Sequence, residues 1–419
     1  METTSQPPQT PEASPVRLGP RPYMQHLATA TGAWTSSLAA LPLLKNGSQP
    51  WSPPLQSDRA ALLENLGNVE PQEFAAAVVS EIAARRARFE SGVAAYRTHR
   101  YRREMKPVPL LWQAGTTQLL DYRNDAIDKT LPPVLVVPSL VNRYYVLDLM
   151  PETSFLRWLA NHGFPVFAID WDAPGIDERG FDLTSYTTER LEPALDAVCA
   201  ATNKAKPVVL GYCMGGNLAL ALAHRRERDL AGLALLATPW DFHAERPEQA
   251  RGLGAMAEWL MPTMAAAGAL PVDAIQSLFA ALDPMQVIRK FLAFAELDSD
   301  SDRARRFVAL EDWLNDGIPL ATSVAIETLA GWYGANSPAT GQWRIGGTVV
   351  APASCELPAL VVIPDTDRIV PPGSARALAA TLPRAQPMTP AAGHIGMMVG
   401  GRAEREVWQP IATWLRAIP

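Results

Sequence analysis

The feature that most constrains this sequence is a short stretch in which an apolar strand pattern runs directly into a helical one. Residues 208–212 are mostly apolar, residues 211–216 read Gly-Tyr-Cys-Met-Gly-Gly, and an Ala- and Leu-rich helical pattern follows. The strand-to-helix turn is so tight that a side chain at Gly211 or Gly215 would collide with neighbouring backbone. The pattern therefore predicts a sharp turn that holds Cys213 in the open at its apex.

The segments around this turn predict a sheet flanked by helices. Runs rich in Val, Leu and Ile, typical of buried parallel strands, follow two shorter predicted strands, and together they lie at 108–112, 117–122, 133–138, 165–170, 207–212, 230–237 and 357–364. Helical patterns are found between and after them, at 152–162, 184–201, 214–226, 374–382 and 403–417. Strands alternating with helices predict a doubly wound, mostly parallel sheet, whose ligands bind beyond the carboxyl ends of the strands. With the turn at Cys213, the whole pattern predicts an α/β-hydrolase fold.

Composition along the chain sets the predicted domain boundaries. A long amphipathic helix is predicted over about 71–103, docked on the domain because its polar face is mixed in sign. The segment between the strands predicted at 230–237 and 357–364 is rich in Ala, Leu, Met and aromatic residues. The α/β-hydrolase fold usually carries a lid at this point of the chain. The predicted domains are a Pro-rich, poorly ordered arm over 1–57, a helical N-terminal region over 58–106, a first core part over 107–240, a helical cap over 241–354 and a second core part over 355–419.

Composition also excludes several classes of partner. The net charge is −6, so the chain has no general attraction for nucleic acid. No stretch approaches the ~20 apolar residues of a membrane span, and the N-terminus lacks a signal-peptide pattern, so we expect a cytoplasmic protein that is not integral to a membrane. The cysteines, Cys199, Cys213 and Cys355, are too scattered for a disulfide framework or a paired zinc site. No metal and no cofactor is predicted.

Cys213 is predicted to be a nucleophile. Its position places the sulfur near a helix N-terminus, where partial positive charge favours the reactive thiolate. The backbone N–H of Met214, and one near Leu140 after the 133–138 strand, would form an oxyanion hole. The alternative interpretation, a small buried core residue, is the usual state of a free cysteine. It is disfavoured here by the flanking glycines, whereas Cys199 and Cys355 have no such setting.

A nucleophile of this kind needs a base and an acid that orients the base, which follow it in the chain of this fold. Of the six histidines, only His394 follows the last predicted strand, in a loop before the C-terminal helix. The loop after the 357–364 strand supplies a carboxylate, from Asp365 or Asp367. Either aspartate could instead cap a turn. The fold alone leaves both of them open.

Three blocks of this sequence closely resemble polyhydroxyalkanoate synthases. The block over 136–154, which includes Ser-Leu-Val-Asn-Arg-Tyr-Tyr, resembles the segment before the nucleophile, and Gly-Tyr-Cys-Met-Gly-Gly matches the nucleophile motif itself. The run 367–371, Asp-Arg-Ile-Val-Pro, aligns with an Asp-His-Ile-Val-Pro motif in which Arg368 replaces the usual histidine. Residues 393–395, Gly-His-Ile, match a third motif. The resemblance runs from about residue 134 to the C-terminus and does not extend to the part before Tyr101.

The resemblance implies a function and selects among the candidate residues. It implies a triad of Cys213, Asp367 and His394, which favours Asp367 over Asp365, and places Asn142 in a substrate loop. It implies an acyltransferase that polymerises 3-hydroxyacyl-CoA through a Cys-bound acyl thioester with release of CoA. The implied partners are that substrate, a polyester granule surface, and a second copy in a homodimer or a second synthase subunit. The implied location is the cytoplasm or the granule surface.

Two other functions stay open on the sequence alone. If water took the acyl group from Cys213, the same residues would form a thioesterase or an intracellular polyester depolymerase. A non-catalytic granule-surface protein would keep Cys213 only as packing. Exchange of one thioester for another is nearly balanced, so the first step is easy in either enzyme. The acceptor that follows, a hydroxyl or water, separates the polymerase from the hydrolase.

Overall fold

A computed structural model of the chain describes residues 16–418. Within this range the chain forms two compact units. The first comprises residues 16–101 and Met285–Asn315, and the second comprises Arg102–Pro284 and residues 316–418. Each unit has its own cluster of buried apolar side chains and therefore its own core.

The helices of both units, numbered in chain order, cover much of the described chain. The α-helices are α1 (Tyr23–Thr35), α2 (Ala40–Lys45), α3 (Gln56–Leu66), α4 (Pro71–Thr98), α5 (Phe155–Asn161), α6 (Leu183–Tyr186), α7 (Glu192–Ala201), α8 (Met214–Arg226), α9 (Pro247–Ala267), α10 (Val272–Ala280), α11 (Gln286–Phe294), α12 (Asp302–Asn315), α13 (Thr322–Ile326), α14 (Pro372–Thr381), α15 (Gly396–Val399) and α16 (Gln409–Arg416). Three segments are π-helical, namely Thr187–Leu191, Glu327–Gly334 and Glu404–Trp408. Within the described residues, no helix combines the length and apolar character that crossing a membrane requires.

The second unit is built on an 8-stranded sheet. Its strands are β1 (Leu110–Ala114), β2 (Thr117–Asp121), β3 (Val134–Val137), β4 (Val166–Asp170), β5 (Val208–Tyr212), β6 (Gly232–Leu236), β7 (Ala359–Val362) and β8 (Ala385–Met388). Their order across the sheet is β1-β2-β4-β3-β5-β6-β7-β8. Strand β2 is antiparallel to both of its neighbours, and the other pairs are parallel. The predicted α/β-hydrolase sheet is thereby confirmed.

The packing of this sheet follows from the composition of its strands. Strands β3, β5, β6 and β7 are buried along their whole length. Such strands are covered by helices on both faces, which is why they consist of apolar residues rather than an alternating pattern. Strand β8 has no counterpart among the predicted strands because its residues, Ala-Gln-Pro-Met, lack that signature and are half-buried or exposed. Short two-stranded ribbons pair Asp148–Met150 with Thr153–Ser154, Ala269–Leu270 with Leu320–Ala321, and Arg344–Ile345 with Thr348–Val349.

The first unit corrects the prediction for the N-terminal arm. Residues 16–57 include α1 and α2, and Trp34 is buried in a core with Phe89 and Tyr96 of α4. Arg17 is 2.7 Å from Asp312 in an ion pair that joins this segment to α12. The poorly ordered arm predicted over 1–57 is thus wrong for residues 16–57, because their scattered apolar residues find a common core. Residues 1–15 lie outside the described residues.

The extent of the cap also differs from the prediction. Residues Met285–Asn315, predicted within one cap over 241–354, belong to the unit that contains α4. The apolar face of α11 is the reason, since the ring of Phe291 makes edge contacts with Phe89 and Tyr96. Residues 241–284 and 316–354 stay with the sheet-containing unit and carry α9, α10 and α13. Residues of both segments line the cavity that contains Cys213.

Candidate active site

Cys213 lies at the turn between β5 and α8. Its backbone has φ 56° and ψ −129°, a conformation that residues other than glycine rarely adopt. Its N–H donates to a carbonyl of β6 at 2.8 Å, and its own carbonyl accepts from Gly216 N–H at 2.8 Å. A Cβ on Gly211 would lie 2.4 Å from the Cα of Gly216, and one on Gly215 would lie 2.2 Å from a carbonyl of β3. The glycines therefore permit the close approach that holds the strained turn.

Asp367 and His394 come from two other loops at the same edge of the sheet. Asp367 follows β7, His394 follows β8, and both side chains are buried. Nδ1 of His394 lies 2.7 Å from Oδ2 of Asp367, and because a carboxylate only accepts, Nδ1 is the donor. The other carboxylate oxygen accepts from the N–H groups of Ile369 and Val370, at 2.8 and 2.9 Å. Asp367 thus fixes the histidine ring through Nδ1, and Nε2 is the nitrogen left for Cys213, a neighbour that acts on the pKa of the ring.

The pKa of His394 reflects a competition between burial and these partners. Burial alone lowers the pKa, because an imidazolium away from water loses its hydration. The charge of Cys213 and the hydrogen bonds to Asp367 and Cys213 outweigh burial and raise the pKa of His394 to about 10. His394 is therefore held protonated at neutral pH. With the Cys213 sulfur as nucleophile, a protonated His394 can return a proton to the leaving group.

Tyr212 links the nucleophile turn to the histidine loop. It immediately precedes Cys213, is 4% exposed, and donates its hydroxyl proton to the backbone carbonyl of His394 at 3.1 Å. The two rings lie 5.2 Å apart between centroids. Since β5 and the loop after β8 are far apart in the chain, this hydrogen bond is a direct tie between two functional segments. The sequence predicts Tyr212 only as part of the turn motif and gives no sign of this contact.

A cavity opens above Cys213 within the second unit. Its lining near the sheet includes Ser139, Val141, Cys213 and Met214. The cap segments contribute mostly apolar side chains, namely Leu253, Leu270, Ile275, Leu278, Phe279, Leu282, Leu320 and Trp332. Exposed polar side chains complete the lining, namely Glu245, Arg246, Gln249 and Arg368. The cavity thus surrounds the sulfur with apolar groups, which strengthens the electrostatic interactions made there.

Comparisons with known proteins place the chain in a family. The model of the α/β hydrolase fold family matches residues 132–401. The chain is 31% identical over 300 residues to the poly(3-hydroxyalkanoate) polymerase subunit PhaC of Synechocystis sp., a match that covers 69% of this chain and 79% of that protein. This chain belongs to the poly(3-hydroxyalkanoate) polymerase family of α/β hydrolases.

Other members of the polymerase family match over a similar span. The PhaC subunit of Thiocystis violacea is 26% identical over 313 residues, which cover 71% of this chain and 85% of that protein. The PhaC subunit of Haloferax mediterranei is 27% identical over 318 residues, which cover 74% of this chain and 63% of that protein. The resemblance on which the sequence interpretation rests is thereby confirmed at the level of the family.

In this polymerase-family chain, the structure brings together some of the predicted site residues and not others. Asp367 hydrogen-bonds His394, and Cys213 acts on the pKa of the same ring, so these three residues come together. Asp365, the other candidate acid, is exposed, and its own N–H donates to Pro390 at 3.1 Å. The distinction arises because Asp367 is turned inward by the two N–H groups that follow it. The role of the cluster in catalysis stays a prediction.

The residues predicted for the oxyanion hole and the substrate loop differ in whether they line the cavity. Met214 lines the cavity, and as the first residue of α8 its N–H has no partner within the helix. Leu140 does not line the cavity, but within residues 16–418 its N–H donates no hydrogen bond to backbone. Its neighbours Ser139 and Val141 do line the cavity, and Val141 N–H donates to Ser139 Oγ at 3.0 Å. Asn142 has a positive φ of 65° and is not among the residues that line the cavity. Its place in a substrate loop stays a prediction.

The loop that carries Leu140 and Asn142 is anchored by a second buried carboxylate, Asp148. This side chain is 1% exposed and accepts hydrogen bonds from Ser154 Oγ at 2.5 Å, Arg157 Nε at 2.9 Å and Tyr122 Oη at 2.9 Å. Its backbone carbonyl accepts from Arg103 Nη2 at 2.7 Å. The charge of Asp148 and the loss of hydration raise the pKa of Tyr122 far above its usual value, so that hydroxyl stays protonated. Asp148 therefore fixes the end of the loop without taking part in the cavity.

Proposed function

We propose that this protein is an acyltransferase that polymerises 3-hydroxyacyl-CoA through an acyl thioester on Cys213. The observation that carries the proposal is the cluster of Cys213, His394 and Asp367 beneath an apolar cavity, in a chain that belongs to the polymerase family. We propose 3-hydroxyacyl-CoA as the acyl donor because the relatives are named as polymerases of poly(3-hydroxyalkanoate). No cofactor beyond the CoA thioester is part of the proposal.

In the first step, the Sγ of Cys213 attacks the carbonyl carbon of the acyl-CoA thioester. The oxyanion that forms accepts hydrogen bonds from the N–H of Met214 and from the backbone near Leu140. When the tetrahedral intermediate collapses, the bond to the CoA sulfur breaks and His394 gives its Nε2 proton to the departing thiolate. The products are CoA and an acyl-Cys213 thioester. Asp367 keeps the ring in place and stabilises its charged form throughout.

In the second step, the 3-hydroxyl group of another acyl unit, or of the growing chain, attacks the acyl-Cys213 carbonyl. His394, now neutral, takes the hydroxyl proton through Nε2 as the new carbon–oxygen bond forms. The bond to Sγ then breaks, which restores the thiolate and leaves the chain longer by one ester. Each cycle consumes one thioester and releases one CoA.

The lining of the cavity favours a hydroxyl over water as the acceptor. Cap residues such as Leu270, Ile275 and Phe279 present apolar groups around the reacting sulfur. An apolar wall holds the acyl chain beside Cys213 and gives water few hydrogen-bonding groups. This is the feature that separates the proposed polymerase from a thioesterase or depolymerase built on the same three residues.

The proposed partners extend beyond the small substrate. The product is a hydrophobic polyester, and we propose that the protein works at the surface of the granule that this product forms, in the cytoplasm. A homodimer or a complex with a second synthase subunit belongs to the same proposal. Light scattering of the purified chain, with and without 3-hydroxyacyl-CoA, measures the assembly state directly.

The decisive experiment gives purified protein 3-hydroxybutyryl-CoA and measures free thiol, polymer and free acid together. We expect thiol release with ester-linked oligomers as the product. Cys213→Ala should lower thiol release by roughly 10⁴-fold or more, because the nucleophile is lost while the fold is kept. Cys199→Ala is the matched control, since that cysteine lies in α7 and does not line the cavity, and it should behave as the unchanged protein.

Three results would count against the proposal, each in a different way. Thiol release with only monomeric 3-hydroxybutyrate would replace the polymerase with a thioesterase. Release that survives Cys213→Ala would remove Cys213 from the reaction. No release with 3-hydroxyacyl-CoA of any chain length would favour the non-catalytic granule protein.

A further inference from the structure

The polar groups inside the cavity are not equally available to a substrate. Most of those away from the exposed side chains of the lining make at least one hydrogen bond to the protein: Ser374 Oγ accepts from Trp240 N–H at 3.0 Å, Thr328 Oγ1 donates to a carbonyl of α13 at 2.8 Å, and Asp241 accepts from Asn336 at 2.9 Å. Ser139 Oγ accepts from Val141 N–H on the sheet side, next to the expected oxyanion position. One further residue with a hydroxyl group, Tyr333, lines the same cavity.

Tyr333 is held at the cavity by its backbone and its ring, which leaves its hydroxyl unengaged. It lies in the π-helical segment Glu327–Gly334 of the cap. Its carbonyl accepts from His243 Nε2 at 2.8 Å, and its ring packs edge-on against Phe242 with centroids 4.9 Å apart. Within residues 16–418, no protein group hydrogen-bonds its hydroxyl. A half-buried tyrosine that lines a cavity, and whose hydroxyl has no partner among these residues, can hydrogen-bond a ligand bound in that cavity.

The hydroxyl of Tyr333 also stays protonated across the working pH range. Burial raises its pKa, and the nearby charge of Cys213 raises it further, to about 12. Tyr333 and Cys213 line the same cavity. Tyr333 can therefore donate a hydrogen bond to a ligand bound at Cys213, and it can accept one through its oxygen.

We propose that the Tyr333 hydroxyl binds the 3-hydroxyl group of the acyl chain carried on Cys213 and so selects 3-hydroxyacyl thioesters over unsubstituted ones. This inference rests on the proposed function. The carbonyl of the same acyl group is served by backbone N–H groups at the strand ends, whereas the 3-hydroxyl lies two carbons farther on and needs a partner in an otherwise apolar wall. A hydroxyl that enters such a wall without a partner loses its bonds to water and weakens binding.

The test compares 3-hydroxybutyryl-CoA with butyryl-CoA, which lacks only the hydroxyl, in the first turnover of Cys213. CoA release and acylation of Cys213, read by mass spectrometry, give a rate for each substrate and hence a preference ratio. Tyr333→Phe should lower the ratio about 10- to 100-fold by slowing the 3-hydroxy substrate and leaving butyryl-CoA nearly unchanged. Tyr186→Phe is the matched control, because it removes a buried tyrosine hydroxyl outside the cavity lining and should leave the ratio as it was.

The outcomes separate this inference from the function on which it rests. If Tyr333→Phe slows both substrates by the same factor, or leaves the ratio unchanged, the inference is overturned while the acyl-transfer proposal stands. If the unchanged protein releases CoA from neither substrate, the proposed function fails first, and the inference fails with it.

A second measurement needs no change at Tyr333. In the Cys213→Ala protein, calorimetry should show 3-hydroxybutyryl-CoA binding about 10-fold or more tightly than butyryl-CoA. Equal affinities would overturn the inference even if Tyr333→Phe did not fold.

Discussion

Two carboxylates of the second unit, those of Asp367 and Asp148, are both buried and hydrogen-bonded, but the groups that bind them differ. Asp367 and Asp148 are 5% and 1% exposed, and each accepts several hydrogen bonds at normal distances. The partners of Asp367 are two backbone N–H groups and His394, a ring that can gain and lose a proton. The partners of Asp148 include Arg157, which stays charged, and the hydroxyl of Tyr122, which stays protonated.

The difference shows how burial serves two purposes in one domain. At Asp367 it leaves a single titratable partner, so the carboxylate controls where a proton is held. At Asp148 every partner keeps its proton, so the carboxylate controls where a loop is held. The loop that Asp148 holds contains Leu140 and Asn142, and the histidine that Asp367 holds is the proposed general base. Experiments that exchange charge for an isosteric amide at each position test whether the two purposes are separate.

The largest expected effect is that of Asp367→Asn on turnover. An asparagine can present its amide N–H to His394 Nδ1, which favours the wrong tautomer and removes the charge that stabilises the imidazolium. We expect thiol release from 3-hydroxybutyryl-CoA to fall by about 10⁴-fold, far more than for Asp148→Asn. Turnover of Asp367→Asn within a few-fold of the unchanged protein would contradict the role given to Asp367. Asp365→Asn, at the exposed neighbouring aspartate, is the matched control and should have little effect.

The next effect is that of Asp148→Asn on stability. The amide leaves the guanidinium groups near it without their buried counter-charge, and breaking a buried pair in this way costs about 3 kcal/mol in unfolding free energy. Urea unfolding measures it, and the chemical step at Cys213 should fall far less than for Asp367→Asn. Asp196→Asn breaks a surface pair with Arg226 at 2.6 Å and should cost under about 1 kcal/mol. Equal losses from the two substitutions would contradict the role given to Asp148.

The smallest effect is a pH dependence that only one of the two sites should show. The folded pKa of His394, about 10, lies above its ordinary value of 6.5, so protonation of His394 favours the folded state. This stabilisation is fully present below pH 6.5 and is lost as the pH rises from 6.5 through about 10. The pair of Asp148 and Arg157 should contribute evenly over that range, because the guanidinium of Arg157 stays charged throughout it.

The pH dependence is checked with His394→Gln and with Cys213→Ala. Thermal unfolding midpoints of the unchanged protein and of His394→Gln should differ most at low pH and converge as the pH approaches 10. Cys213→Ala removes a charge that raises the pKa of His394, so the imidazole signals in histidine-selective NMR spectra should titrate at lower pH in that protein. An unchanged titration would show that Cys213 does not interact with His394.

Much of the fold was predictable because its signals are local. The strands β3, β4, β5, β6 and β7 all fall within predicted segments, since a buried parallel strand must be a short apolar run. The turn at Cys213 was predictable for the same reason, because close backbone approach at Gly211 and Gly215 admits only glycine. Strand β8 and the π-helical segment around Tyr333 have no comparable local signal.

Long-range pairing accounts for what the sequence does not show. The apolar face of α11 predicts that the helix is buried against something, but not that its partner is α4 rather than the cap. In the same way, Asp365 and Asp367 are two residues apart in one loop, and the fold alone favours neither. Family resemblance favours Asp367, and in the structure only Asp367 turns inward to His394, through the N–H groups of the residues that follow it.

The sequence by itself therefore determines the nucleophile turn, the order of strands and helices, and the few residues able to serve as nucleophile, base and acid. Steric limits and apolar periodicity act between residues that are close in the chain, so they can be recognised in short stretches of the sequence. Only the tertiary structure decides that Met285–Asn315 leaves the cap, that Tyr212 ties the turn to the histidine loop, and that Tyr333 lines the cavity of Cys213. Each of these depends on contacts between segments far apart in the chain, whose energies arise only once the whole chain has folded.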